Sequence, residues 1–261
     1  MIKLIFLAFL IPSVIFADIP QEVIQAYEDL HFYPSLNYPN ENFKELEPYF
    51  EDQKILIFCY DTLINPSSAL KTISKDTYNQ MFPAIAFGLT RRLNMNGKIE
   101  GFGQDFQAPY CLDREIPGHL NSGCALANAI PANTLSAMIN GMVMAVDETE
   151  LKKLIQRQKG YDLIPVIIMD WQDREPHFRG KPRIAYTFSA ADQPRQGIIY
   201  TDNNLWPAFR YMERLRNGFY RSEAGDLRDR NAGWPAFRHF FEETTFFGNG
   251  VNIWRHYYIL T

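Results

Sequence analysis

ILIFCYDTLINPSSALKT, residues 55–72, decides how this chain is read. Ile55 to Tyr60 is an unbroken apolar run of strand length, the form expected of a strand buried on both faces. Asp61-Thr62-Leu63 turns the chain, and Pro66 stands close to the start of a short helix over Ser67–Ile73. A strand, a tight turn and a helix start in succession point backbone N–H groups at one spot beside the turn, which suits an anion.

Working outward, Pro83–Leu93 reads as a strand and 97–123 as a loop-rich stretch. Leu135–Val146 is a second apolar strand, and Gly141 within it predicts a bulge or a close backbone approach. Asp147 followed three residues later by Glu150 predicts a capping box, opening a helix that runs to about Lys159 and ends at Gly160. Leu151, Leu154 and Gln158 share the inward stripe of that helix. Tyr161–Trp171 and Arg183–Phe188 are further strands. In the last third, Leu205, Ala208, Phe209, Met212 and Leu215 share a helix face that Gly218 would terminate, and Trp234-Pro235 opens another helix with Phe237, Phe240 and Phe241 inward. Strands with helices inserted and appended give an α+β class.

The composition is globular: 261 residues, 46% hydrophobic, 15% aromatic and 21% charged. That is enough chain to bury a substantial core. A net charge of −4 gives no footprint for nucleic acid or for a polybasic membrane contact. Lys3, the apolar run Leu4–Phe16 and a small residue at Ala17 describe a secretory signal peptide over residues 1–17, with an uncleaved anchor as the rival. The run is short for a bilayer span, so cleavage would leave no stable membrane span and would export the chain to a periplasmic or secreted location. Residues 18–53 form a polar N-terminal extension, with a helix over Pro20–Leu30 that lines up Val23, Ile24, Tyr27 and Leu30. Residues 54–261 form one domain. Of the three cysteines, Cys59 reads as a buried thiol, and export would favour a Cys111–Cys124 bridge. No CxxC spacing exists, so neither metal nor cofactor is expected.

The run from Ile57 to Thr72 resembles the Tyr-Gly-Ser loop that opens gamma-glutamylcyclotransferase-like proteins: an apolar strand, then Tyr-Gly-Ser-Leu, a polar residue and Pro. Ile139–Val143 with Asp147–Leu151 resembles a second block of that superfamily, and Leu154–Tyr161 a third, all in the same order. The resemblance spans about residues 54–171. It implies a compact mixed β-barrel with surrounding helices and a cavity beside the turn that takes a gamma-glutamyl group. In that superfamily the substrate's α-amine attacks its own γ-carbonyl and releases 5-oxoproline, an acidic residue just before the Gly-Tyr pair shuttles the proton, and the turn's amides hold the substrate.

Carried onto this chain, the resemblance gives Tyr60, Asp61, Thr62, Leu63 and Tyr161 as substrate-binding residues and Gln158 at the position of the catalytic Glu. Gln158 cannot accept a proton, and a general base is typically worth about 100- to 10,000-fold in rate. Asp61 stands where the family has Gly and adds a negative charge to an anion cradle. Two plainer readings stay open: Gln158 serves a backbone group near the helix end, and Asp61 caps the following turn. The expectation is an exported protein with an altered, catalytically impaired site that binds a small gamma-glutamyl or amino-acid-like ligand. The alternatives are an active enzyme with a displaced acid/base, and a secreted protein that reuses the fold to bind a protein partner.

Overall fold

The computed structural model describes residues 19–39, 42–97, 125–190, 194, 197–207, 209–220 and 234–253. The signal-peptide stretch, nearly all of the loop-rich segment, Cys111, Cys124 and residues 254–261 lie outside these residues. The strands are β1 (Ile55–Cys59), β2 (Phe82–Phe87), β3 (Leu89–Asn96), β4 (Ala125–Pro131), β5 (Met138–Val146), β6 (Tyr161–Trp171), β7 (Phe178–Ala190) and β8 (Thr245–Phe247). The helices are α1 (Gln21–Asp29), α2 (Pro66–Ala69), α3 (Lys75–Asn79), α4 (Glu148–Arg157), α5 (Phe209–Tyr220) and α6 (Trp234–Glu243).

Five strands close a barrel in the order β1-β5-β2-β6-β7, and a three-stranded sheet in the order β4-β3-β8 stands beside it. The barrel is mixed: β7 closes on β1 in parallel, while its other pairings are antiparallel. The α+β class and the mixed barrel with helices around it are therefore what the chain forms. The expected strand over Pro83–Leu93 is two strands. The break falls at Gly88, so that β2 stays in the barrel and β3 crosses into the second sheet.

The early helix is α1, and it buries Val23 while Tyr27 points outward, 51% exposed. The inward face is therefore Val23 with the half-buried Ala26 and Leu30 rather than one that includes Tyr27. Leu36 forms an isolated antiparallel bridge with Leu163 of β6, so residues before β1 reach the barrel by backbone pairing. Gly218 lies inside α5, not at its end. A Cβ there would meet the Asn65 amide nitrogen at 3.2 Å, so the missing side chain lets α5 approach the turn after β1.

The predicted start of α4 holds in half. The Asp147 carboxylate accepts from the Glu150 amide at 2.8 Å, as an N-cap should. Glu150 does not reach back to complete the box. It is buried, and its carboxylate accepts from the Ser74 amide at 2.7 Å and from the Thr77 hydroxyl at 2.8 Å, tying α3 to α4. Glu150→Ala leaves both donors without that acceptor and should lower stability by about 1–3 kcal/mol. Glu150→Gln, which keeps an acceptor oxygen, should lose less. Urea midpoints of the two variants check this, and an Ala variant as stable as its parent would refute it.

Candidate functional site

Asp61 follows directly on the strand that carries Cys59 and Tyr60. Its backbone is extended, and one carboxylate oxygen, Oδ1, accepts from the Leu63 amide at 2.9 Å, capping the short turn Thr62–Ile64. Across from it, α4 buries Leu151 and Leu154 and brings Gln158 to its C-terminal end, 6% exposed. The Gln158 side-chain amide donates to the second Asp61 oxygen, Oδ2, at 3.1 Å. Asp61 therefore caps its turn as the plainer reading expects, whereas Gln158 serves the Asp61 side chain and not a backbone group.

The two side chains line one cavity of about 20 Å³ together with Thr62, Arg157, Tyr161 and Tyr211, with Leu126 as an apolar wall. That volume suits a single water or a group of similar size. Arg157 donates to the Ser68 carbonyl at 2.6 Å, the Ser68 hydroxyl at 2.6 Å and the Thr72 hydroxyl at 2.7 Å, which fixes its guanidinium over α2. Burial raises the Asp61 carboxyl above the ordinary carboxylate range. The Leu63 amide, the Arg157 charge and the Gln158 amide pull it back without cancelling the rise.

Tyr60 and Tyr161 hold backbone. The Tyr60 hydroxyl donates to the Phe188 carbonyl at 2.6 Å and is hydrogen-bonded to the Ala129 backbone. The Tyr161 hydroxyl donates to the Ala127 carbonyl at 2.8 Å, while the Tyr211 hydroxyl accepts from the Ala127 amide at 2.7 Å. Three phenols therefore clamp alternate residues of β4, whose small side chains allow the approach. Both tyrosines are almost wholly buried, and of the two Tyr161 lines the cavity. Leu63 is buried, and its backbone amide is engaged by Asp61.

Arg157, Tyr211 and Arg91 were not among the sequence candidates. Arg157 was within reach, next to Gln158. Tyr211 sits on α5, with no motif around it. Arg91 on β3 is fully buried, donates to the Thr245 hydroxyl at 3.0 Å and to the Asn140 carbonyl, and has its guanidinium carbon 4.8 Å from the Phe219 ring centre. Its Nε finds no partner among the described residues. Burial pushes the guanidinium down to about 9, against the opposing pull of Tyr60, Asp61 and Tyr211. Cys59 is a buried free thiol, and desolvation followed by the Asp61 charge pushes it well up, opposite to what a nucleophilic cysteine needs. Among the described residues no three His, Cys, Asp or Glu side chains are grouped to hold a metal ion, and no helix is long and apolar enough to cross a membrane.

No protein-family model matches the chain, and no curated protein matches it. Solved structures similar to it include YkqA from Bacillus subtilis, at 13% identity and a TM-score of 0.44 over 72% of this chain. The chain spans 56% of the length of that protein. A structure titled gamma-glutamyl cyclotransferase is similar at 10% identity and a TM-score of 0.41, covering 68% of this chain and 85% of its own. A mouse AIG2-like protein follows at 13% identity and a TM-score of 0.31, over 54% of this chain and 80% of its own. At such distances these likenesses carry no argument about family or chemistry.

Proposed function

We propose that this chain is an exported gamma-glutamylcyclotransferase-like protein whose altered site binds a small gamma-glutamyl or amino-acid-like ligand and turns it over poorly. The observation that best supports this reading is the shared cavity. Gln158 and Asp61, 97 residues apart, meet there through their hydrogen bond, with Thr62 of the same turn beside them. The amide at 158 keeps a side chain that can orient a ligand but removes a proton acceptor from the helix end. The cavity is small, so ligand entry requires the turn or the Gln158 side chain to yield.

The test uses the chain without residues 1–17, incubated with gamma-glutamyl amino acids and glutathione. A rise in Tm with at least one gamma-glutamyl compound is expected, together with slow release of 5-oxoproline. Absence of any thermal shift across such a panel overturns the reading and favours a protein partner instead. N-terminal sequencing of the exported protein checks cleavage after Ala17.

A further inference from the structure

We propose that Asp61 is the proton acceptor of this site, a carboxylate moved across the cavity from the helix end to the turn, with Gln158 as the residue that positions it. The proposal rests on the gamma-glutamyl reading above. Its first support is distance: Asp61 Oδ2 lies 3.1 Å from Gln158 Nε2, one hydrogen-bond length from where a carboxylate at position 158 would present its own oxygen. An amine posed to give its proton to position 158 is within reach of Asp61 after a small shift.

The second support is the division of labour between the two Asp61 oxygens. Oδ1 is held by the Leu63 amide, while Oδ2 takes the Gln158 amide and, like any carboxylate oxygen, retains further acceptor capacity. Among the described residues lining the cavity Asp61 alone carries a carboxylate. The third is the company it keeps. Arg157 and Gln158 face it from α4, Tyr161 from β6 and Tyr211 from α5, with Cys59 and Tyr60 before it on the chain and Arg91 deeper on β3. Burial pushes the Cys59 thiol and the Tyr60 and Tyr161 phenols up, so they stay protonated at neutral pH and do not compete for the proton. The Asp61 carboxyl is itself raised, which makes it a stronger base than an ordinary aspartate while Arg157 favours its charged form. The free space of about 20 Å³ matches an ammonium head group, which is about the size of a water.

The step balances without a cofactor. The substrate's ammonium loses a proton to Asp61, and the freed amine forms the bond to the γ-carbonyl carbon. The γ-amide C–N bond then breaks. The attacking nitrogen gives up two protons in all, and the leaving nitrogen gains two, Asp61 carrying them one at a time. The products are 5-oxoproline and the released amine, and Asp61 ends ionised as it began.

The experiment measures 5-oxoproline release from a gamma-glutamyl amino acid by the parent chain, Asp61→Asn and Gln158→Ala, with ligand-induced Tm shifts measured in parallel. Asp61→Asn keeps an acceptor for the Leu63 amide and so keeps the turn. It is expected to lose the parent's turnover by about 100-fold or more while still showing a ligand-induced shift. Gln158→Ala should retain turnover within about tenfold and move the acid limb of the kcat/KM profile upward in pH, because an amide donor that favours the ionised Asp61 has gone. A purely structural Gln158 would leave that limb in place. Turnover that survives Asp61→Asn, or a parent chain that binds but never releases 5-oxoproline, overturns the assignment of Asp61 and leaves the binding reading standing. Loss of binding across the panel removes both.

Discussion

Gln158→Glu alone is expected to destabilise the folded chain at neutral pH by about 4 kcal/mol, and Asp61→Gly introduced with it should relieve that loss. Restoring a glutamate at 158 looks from the sequence like a simple repair. The structure puts that residue 3.1 Å from the Asp61 carboxylate, so the repair installs a second acid against the first. Two carboxylates at such separation share one proton. Their titrations split by about three pKa units, each unit worth about 1.4 kcal/mol. At least one of the pair is raised above its unfolded value of about 4. The variant should therefore match its parent below about pH 4 and lose stability as pH rises through the raised folded value. In the double variant the like charge is gone and the Leu63 amide is freed, at a capping cost of about 0.5–2 kcal/mol. Release of 5-oxoproline should then rise by about 100- to 10,000-fold over Asp61→Gly alone, which has no carboxylate in the cavity. Tm against pH and end-point assays for 5-oxoproline read the two effects separately. A Gln158→Glu chain as stable as its parent at pH 7 would mean that positions 61 and 158 do not touch.

What the sequence made legible follows from how local each signal is. The run 55–60 gave a strand and the Asp147 cap gave a helix start because both depend on neighbours in the chain. Glu150 failed as the second half of a capping box because Ser74 and Thr77, brought in from α3, offered it buried donors that outbid the local bond. Gly218 was misread for a related reason. A glycine that stops a helix and a glycine that lets a helix approach another backbone are the same letter, and the distinction lies in Asn65, far away in sequence. The strand over 83–93 was read through Gly88 because an apolar run does not say which sheet its ends join. At the site, Asp61 and Gln158 were each marked by departure from a resemblance, yet no periodicity couples residues 97 positions apart, so their hydrogen bond was invisible. Arg91 carried a weak signal in the alternation of β3, where Arg91 is buried and Arg92 is half-buried, but a buried cation on a strand has no local partner to announce it.

Gly141→Ala should cost about 3 kcal/mol or more, a large effect for one methyl group. Gly141 stands in the middle of β5 opposite Ala84 of β2. A Cβ built there would lie 2.6 Å from Cζ of the Phe58 ring and well inside van der Waals contact of the Cys59 carbonyl oxygen. The obstacle includes backbone in a closed five-stranded barrel, so relief needs β1 to move away from β5 rather than a rotamer change. Gly88→Ala provides the contrast. That glycine has a φ of +71° with its nearest neighbour for a Cβ at 3.7 Å, so the cost there is backbone strain alone, about 1–2 kcal/mol. Urea midpoints of the two variants separate steric collision from conformational strain, and a Gly141→Ala chain that loses less than Gly88→Ala would contradict the close approach. The consequence reaches the site because Cys59 is the last residue of β1, two positions before Asp61. Displacing that strand end moves the turn away from Gln158, so any Gly141→Ala protein that still folds should lose more 5-oxoproline release than its stability loss accounts for.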